Sequence, residues 1–414
     1  MSVRTMIVLT LPTLGFSTGL SLVTTYLPVI LDRILGNAPG KATLIGFAIG
    51  GEGIFSSLIP IWVGVLSDRI WTKRWGRRRP FMIFAGPFMA ASLMLAPFQP
   101  SYVSIAISTF VFFAAYHFYT SPYQSLLPDV TPPGNHGKVQ GYQSFMRGGG
   151  MFVGMVVAGE LFYRWEPLPF ILCSFLMMAL TYVTVVKIHE PEPELSLLPS
   201  REKIWGEVRR VFRSVRENKP IQRFMVAAFL WESTLAGLRP FIMLYFIYTL
   251  HSNSQTGALL LGLVGVTYMI AGIASGYLAD KFGRARVMRI GLWVYLGGCL
   301  LAAFIPKIKW AFIFLPIFGL GGSIVLTLPY AILIRLMPKE HIGQFTGMFS
   351  MMRGFANIVA PLVAGAAIDI AGQIFHTGFH PGRQYAVIWL LSGVMIVISL
   401  FFFRGGARDD VVNV

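Results

Sequence analysis

A chain of 414 residues with 55% hydrophobic and only 13% charged residues is too apolar for a soluble protein, whose charged share is usually about 25%. Its net charge of +16 would suit a nucleic-acid surface, but the placement of the cations argues against that partner. A helix needs roughly 20 apolar residues to cross a hydrocarbon core of about 30 Å, and the sequence offers twelve such stretches.

In chain order the expected spans are 6 to 31, 42 to 66, 79 to 98, 103 to 125, 139 to 161 and 167 to 187, then 221 to 250, 256 to 280, 286 to 305, 309 to 334, 342 to 371 and 384 to 403. These are continuous apolar runs, not the ten-residue alternations of a membrane β-barrel, so the expected class is an all-α membrane protein. Met1 to Thr10 carries one Arg and no small-residue cleavage site, and reads as the start of the first helix. Cys173 and Cys299 both fall inside spans, as small apolar residues and not as a disulfide or metal pair.

With the N-terminus inside, inner loops hold about 25 of the 34 Lys and Arg, whereas Arg33, Lys41, Arg164, Lys307, Lys309 and Arg383 fall outside. That asymmetry is the positive-inside pattern. It predicts a multi-pass inner (plasma) membrane protein with both termini cytoplasmic and no role for nucleic acid.

The chain repeats itself. Gly64-Val65-Leu66-Ser67-Asp68-Arg69 leading to Gly76-Arg77-Arg78-Arg79 recurs as Gly276-Tyr277-Leu278-Ala279-Asp280-Lys281 leading to Gly283-Arg284-Ala285-Arg286. Pro122-Tyr123 followed by Gly141 to Gly148 recurs as Pro329-Tyr330 followed by Gly347 to Gly354. The offsets are 276−64 = 212, 280−68 = 212, 329−122 = 207 and 353−147 = 206. Near-constant spacing across half the chain indicates two parallel six-helix repeats, 1–187 and 221–414, with a solute site expected between them at mid-membrane. Between them, 188–220 is expected to be a cytoplasmic loop. Its Glu190-Pro191-Glu192-Pro193 start forbids helix, and Ile204, Val208, Val211 and Val215 then suggest a basic amphipathic helix.

The Gly-x-Leu-x-Asp-(Arg/Lys) and Gly-Arg elements resemble the signature loop of the major facilitator superfamily. The first copy has five extra residues, Ile70 to Trp75 replacing the single Phe282. With Gly19 to Thr24, and Pro122-Tyr123-Gln124-Ser125-Leu126-Leu127-Pro128-Asp129, it is similar to the sucrose/proton symporters and the wider glycoside-pentoside-hexuronide:cation symporter branch. The resemblance implies the twelve-helix, two-bundle major facilitator fold and alternating access. It also places Gln124 where those proteins carry an Arg implicated in substrate binding, Phe113 where they carry an acid, and Glu52 where they carry what looks like a glycine.

The repeated charges are candidate gating residues: Asp68, Arg69, Arg77, Arg78, Asp129, Arg147, Asp280, Arg284 and Arg353. Asp68 is expected near Arg353, Asp280 near Arg147, and Arg77 or Arg78 on Asp129; the plainer alternative is that these charges only anchor loops. At mid-depth, ionisable residues cost several kcal/mol unless they work. Glu52, Glu232, Arg239 and His117 qualify, with Trp231, Tyr268, Trp293, Tyr142 and Gln143 as candidate wall residues. Glu232 and Arg239, seven residues apart, share one face of span seven, either as a proton switch or as a static tie.

The expected function is secondary transport of a small polar organic solute, a sugar or glycoside, by proton symport. The alternative is proton-coupled export of amphiphilic or drug-like compounds. No nucleophile and base array, metal cluster or phosphate loop is recognisable, so neither an enzyme nor a cofactor is expected, and a monomer suffices. His376, His380 and His251 read as outer-loop residues, and Gly148-Gly149-Gly150 as a place for close packing or bending.

Overall fold

A computed structural model describes residues 1–132, 134–190, 219–336, 342–375 and 382–403. The expected amphipathic helix of the 188–220 loop, and His376 and His380, lie outside the described residues. The described residues are nearly all helical, and eleven helices are long and apolar enough to cross a membrane. The expected seventh span, 221 to 250, is present as a broken helix. Helix α9 (Lys219–Leu238) stops before Arg239 and Pro240, and the chain resumes in one turn, α10 (Ile242–Leu244), and a π turn, Tyr245–Thr249. Pro240 has no N–H to continue the ladder and crowds the preceding turn.

Packing divides the chain into two compact units, Met1–Ala38 with Ile54–Leu198, and Pro39–Gly53 with Pro199–Val414. The first contains α1 (Val3–Leu35), most of α3 (Glu52–Arg69), α4 (Arg79–Leu95), α5 (Tyr102–Val130), α6 (His136–Phe152), α7 (Ala158–Arg164) and α8 (Leu168–Lys187). Helix α1 packs on α6 and α8, and α4 lies against α5 and α8. The ring of Phe16 meets Tyr116, Tyr119 and Tyr123 edge-on at 5.6, 6.2 and 5.6 Å between centroids. Buried phenols need partners. Tyr123 has Thr13 at 2.9 Å and Tyr119 has Thr181 at 2.8 Å, so the aromatic core is also a set of interhelical ties. Of the Gly148 to Gly150 run only Gly150 makes a close contact, where a Cβ would strike the Leu14 carbonyl of α1; Gly148 faces open space. A π turn at Val153–Val157 follows at once.

The second unit is built from α9, α10, α11 (Ser254–Phe282), α12 (Arg284–Ala303), α13 (Ile308–Leu336), α14 (Ile342–Phe375) and α15 (Val387–Phe403). It repeats the device of hydroxyl ties, with Tyr295 on Thr234 at 2.8 Å and the Tyr245 hydroxyl donating to the Ala302 carbonyl at 2.6 Å. Span two is divided at Gly51, and its first part, α2 (Lys41–Gly50), packs with this unit against α14.

Two features hold α2 there. A side chain at Gly46 would collide with the Pro361 carbonyl, so the helix axes approach as closely as small residues allow. The N-cap of α2 is Gly40, at φ +71°, which brings no side chain to the free N–H groups. Asp369 of α14 supplies the cap instead, accepting from the Ala42 and Thr43 amides at 3.1 and 2.8 Å and from the Thr43 hydroxyl at 2.6 Å. Replacing Asp369 by Ala should cost about 1–2 kcal/mol, visible as a lower thermal midpoint in detergent. Asp369→Asn, which keeps one acceptor oxygen, should lie between; a midpoint unchanged by Asp369→Ala would show that the cap is idle.

Candidate functional site

The loop between spans two and three folds as a clamp. Thr72 and Gly76 close a tight turn by mutual backbone hydrogen bonds of 3.0 and 2.8 Å, with Gly76 at φ +72°, so the five-residue insert forms a compact knuckle. Trp75 lies under the guanidinium of Arg74 at 5.1 Å and that of Arg79 at 6.0 Å. Beyond the turn, the amides of Arg77, Arg78 and Arg79 all donate to the Glu190 carboxylate, at 2.7 to 3.1 Å. Arg78, the N-cap of α4, provides no cap of its own. A buried Glu at the end of span six therefore caps span three, and Arg79 adds an ionic contact at 3.7 Å while donating to the Val185 carbonyl at 2.8 Å.

Arg77 and Arg78 both reach Asp129, at 2.8 and 3.2 Å, and Arg78 also donates to the Ser67 hydroxyl. One carboxylate thus joins the loop to the end of α5. In the other repeat, Asp280, exposed near the end of α11, meets the half-buried Arg284 at the start of α12 at 3.7 Å, a pair of small energetic weight. The side chains of Asp68 and Arg69 lie outside the described residues. Arg147 is exposed.

Of the mid-depth residues in the first unit, Gln143 is fully buried and donates to Gln124 at 3.1 Å, bringing two expected site residues together. The Gln143 carbonyl oxygen has no partner among the described residues. His117 is buried on α5, edge-on to Tyr116 at 4.9 Å, with its Nε2 likewise without a partner. Tyr142 lines a shallow depression with Lys138, Gly141 and Phe145.

The second unit gathers the remaining charges. Glu232 pairs with Arg353, Nε to Oε1 at 3.2 Å. Its ion-pair partner is therefore the repeat-related Arg of α14 and not Arg239, so of the two readings of span seven the static tie does not form; Arg239 directly follows α9, its amide still on the Leu235 carbonyl at 3.1 Å. Arg239 is half-buried beside the break in span seven, with no carboxylate at ion-pair distance among the described residues. Glu52 is 9% exposed and makes no hydrogen bond or ion pair among them either. Arg239 and Arg353 act on it electrostatically, and the Tyr268 phenol feels Arg239, Glu232 and Arg353 in turn.

Two expected wall residues do other work. Trp231 has no exposed surface and packs edge-on to Phe224 and Phe403 at 5.7 and 6.1 Å, a core position set by the apolar face of α9. Trp293 is an exposed residue of α12. Missed in the sequence were Glu190 and Asp369, each visible only as an acid near a span end. Cys173 and Cys299 are buried and free, as expected.

This fold and these paired loops define a polytopic membrane transporter of the major facilitator type. Residues 9–407 match the family described as MFS/sugar transport protein, and the chain belongs to that family. It is 24% identical over 395 residues to a multi-drug resistance efflux pump PmrA homolog of Lactococcus lactis subsp. lactis (strain IL1403), covering 93% of this chain and 91% of that protein. A tetracycline resistance protein, class H, of Pasteurella multocida is 21% identical over 97% of this chain and 96% of its own. In fold, the chain is similar to a bacterial homolog of the human lysosomal transporter Spinster, with a TM-score of 0.78 at 14% identity, over 98% of this chain and 96% of that one. A D-xylose-proton symporter gives 0.75 at 15% identity, with 96% of each chain covered.

The Glu232 to Arg353 pair can be measured directly. Arg353→Ala should lower the thermal midpoint by leaving a nearly buried carboxylate uncompensated, and adding Glu232→Gln should recover part of that loss. A coupling of about 1 kcal/mol or more in the double-mutant cycle is expected; additive losses would mean the two side chains do not interact.

Proposed function

We propose that this protein is a secondary active transporter of a small polar organic solute, sugar- or glycoside-like, working by alternating access and proton symport. The observation that carries the reading is Glu52, a carboxyl buried within electrostatic reach of Arg239 and Arg353, with no hydrogen bond or ion pair of its own among the described residues. An acid so placed costs about 2.5–3.5 kcal/mol or more when ionised at mid-membrane. A static role would need a partner; exchange of a proton does not. The matched family's description and the likeness to a D-xylose-proton symporter support a sugar-like solute.

On this reading Glu52 takes a proton from one side of the membrane and returns it on the other, while Arg239 and Arg353 set how readily it does so. The Gln124 and Gln143 pair and His117 are the candidate polar contacts contributed by the first repeat. Glu52→Gln should abolish accumulation driven by a pH gradient in proteoliposomes while leaving solute counterflow at roughly its original rate. Accumulation surviving the substitution would remove Glu52 from the coupling step.

The paired loops are proposed as the gate, with Arg77 and Arg78 on Asp129 holding one side of α4 and Asp68, Arg147, Asp280 and Arg353 completing it. Asp68→Asn should change the labelling rate of single cysteines placed near the cytoplasmic ends of the spans and slow transport. Unchanged labelling and rate would reduce the loop to an anchor.

The likeness to the PmrA homolog over most of both chains favours a second reading, proton-coupled export of amphiphilic compounds. Under it, ethidium would be expelled from loaded proteoliposomes on imposing a pH gradient, and disaccharides would not move.

A further inference from the structure

The loop between spans two and three carries the cations Lys73, Arg74, Arg77, Arg78 and Arg79, and they divide into two sets. Arg77, Arg78 and Arg79 are held from within, by Asp129 and Glu190. Lys73 and Arg74 are exposed, and among the described residues neither has a carboxylate at ion-pair distance. The gate proposed above draws on the first set and leaves the second without a task.

The second set is held out on a rigid turn. The Thr72 hydroxyl braces it, donating to the Gly76 carbonyl at 3.1 Å and accepting from the Trp75 amide at 3.3 Å. Arg74 lies over the Trp75 ring, and Ile70 and Trp71 beside it are exposed. Exposed Ile and Trp next to two unmatched cations suit the boundary between lipid headgroups and hydrocarbon, where indole rings and the heads of Lys and Arg gather. The knuckle stands at that boundary because α4, which starts at Arg79, is itself a span.

From the same end, α4 turns Phe84 and Phe88 outward one helical turn apart, their rings 5.2 Å from centre to centre. Arg79 ties this end of α4 to the end of α8 through the Val185 carbonyl at 2.8 Å. That brings up a third exposed cation, Lys187, also without a carboxylate partner among the described residues. A free anion would meet these charges and leave the aromatic face unused. An acidic protein segment would have to enter the headgroup layer to reach them. A phospholipid with an acidic headgroup meets both features at once.

We propose that the knuckle and the adjoining face of α4 bind one acidic phospholipid, its phosphate held by Lys73, Arg74 and Lys187 and an acyl chain lying along Phe84 and Phe88. The site requires only that the chain spans a membrane, and it stands whichever solute is carried and whether or not the loop is a gate.

Native mass spectrometry of the full chain in detergent, titrated with dioleoyl phosphatidylglycerol or dioleoyl phosphatidylcholine, counts the bound lipids. The parent protein should hold one phosphatidylglycerol about tenfold or more tighter than phosphatidylcholine, and excess inorganic phosphate should not displace it. Lys73→Gln with Arg74→Gln should weaken that binding about 25-fold, roughly fivefold for each cation. Lys187→Gln alone should weaken it about fivefold. Lys219→Gln with Arg223→Gln, an equal loss of charge at exposed positions of α9, should leave it unchanged. All variants should keep the parent's thermal midpoint. Equal retention of the two lipids by the parent protein would overturn the proposal whatever the variants do. So would the same weakening in both double variants, which would reduce the effect to net charge, or no weakening in the folded Lys73 and Arg74 variant. Displacement by inorganic phosphate would overturn the lipid and leave a free-anion site.

Discussion

A charge inside a hydrocarbon layer must be paired, lie against water, or change its protonation, and that constraint orders many of the described polar residues. Hydroxyls and phenols in the two units turn to one another or to helix carbonyls, as Tyr119 does with Thr181 and Tyr295 with Thr234. Free helix ends find carboxylates from elsewhere in the chain: Glu190, just past α8, for α4 and Asp369 of α14 for α2. Glu232 finds Arg353. Against that background Glu52 and Arg239 stand out, because the same rule leaves each without an ion-pair partner among the described residues.

The duplication and the break in its symmetry fit one account. The loop motifs repeat in both halves, and the first copy is the more elaborate, with a knuckle closed by Thr72 and Gly76, two Arg on Asp129, and a carboxylate cap from Glu190. The second is lighter, with Asp280 near the end of α11 on Arg284 at the start of α12. Arg353, the repeat partner of Arg147, has been drawn into the charged cluster on Glu232. A residue that repeats in both halves therefore pairs here with Glu232, an acid that has no counterpart in the first half.

What could be read from the sequence was local. Apolar runs of about 20 residues announce spans, and constant offsets announce a repeat, so the helical class and the family were both within reach. So was the meeting of Arg77 and Arg78 with Asp129, since a loop Arg and the acid at a neighbouring span end have few other partners. What escaped depends on contacts far apart in the chain. Asp369 caps an amide 326 residues away, and Glu190 amides 111 to 113 residues away; the first stands in the last turns of an expected span and the second in the loop after one, and neither position names its partner. Helical periodicity placed Arg239 on the face of Glu232, but the partner that Glu232 takes, Arg353, lies on another helix and is invisible to local spacing. Trp231 was assigned by residue type to a wall, when the same large apolar ring serves a core equally well.

The account turns on Glu52 being an acid that holds and loses a proton while buried. Infrared difference spectra of the purified protein, recorded across a pH titration in light and heavy water, detect this through the carbonyl stretch of a protonated carboxyl group. The account predicts a band that disappears as pH rises, shifts in heavy water and is missing from Glu52→Gln. A spectrum in which Glu52→Gln retains every protonated-carboxyl band of the parent protein would contradict it.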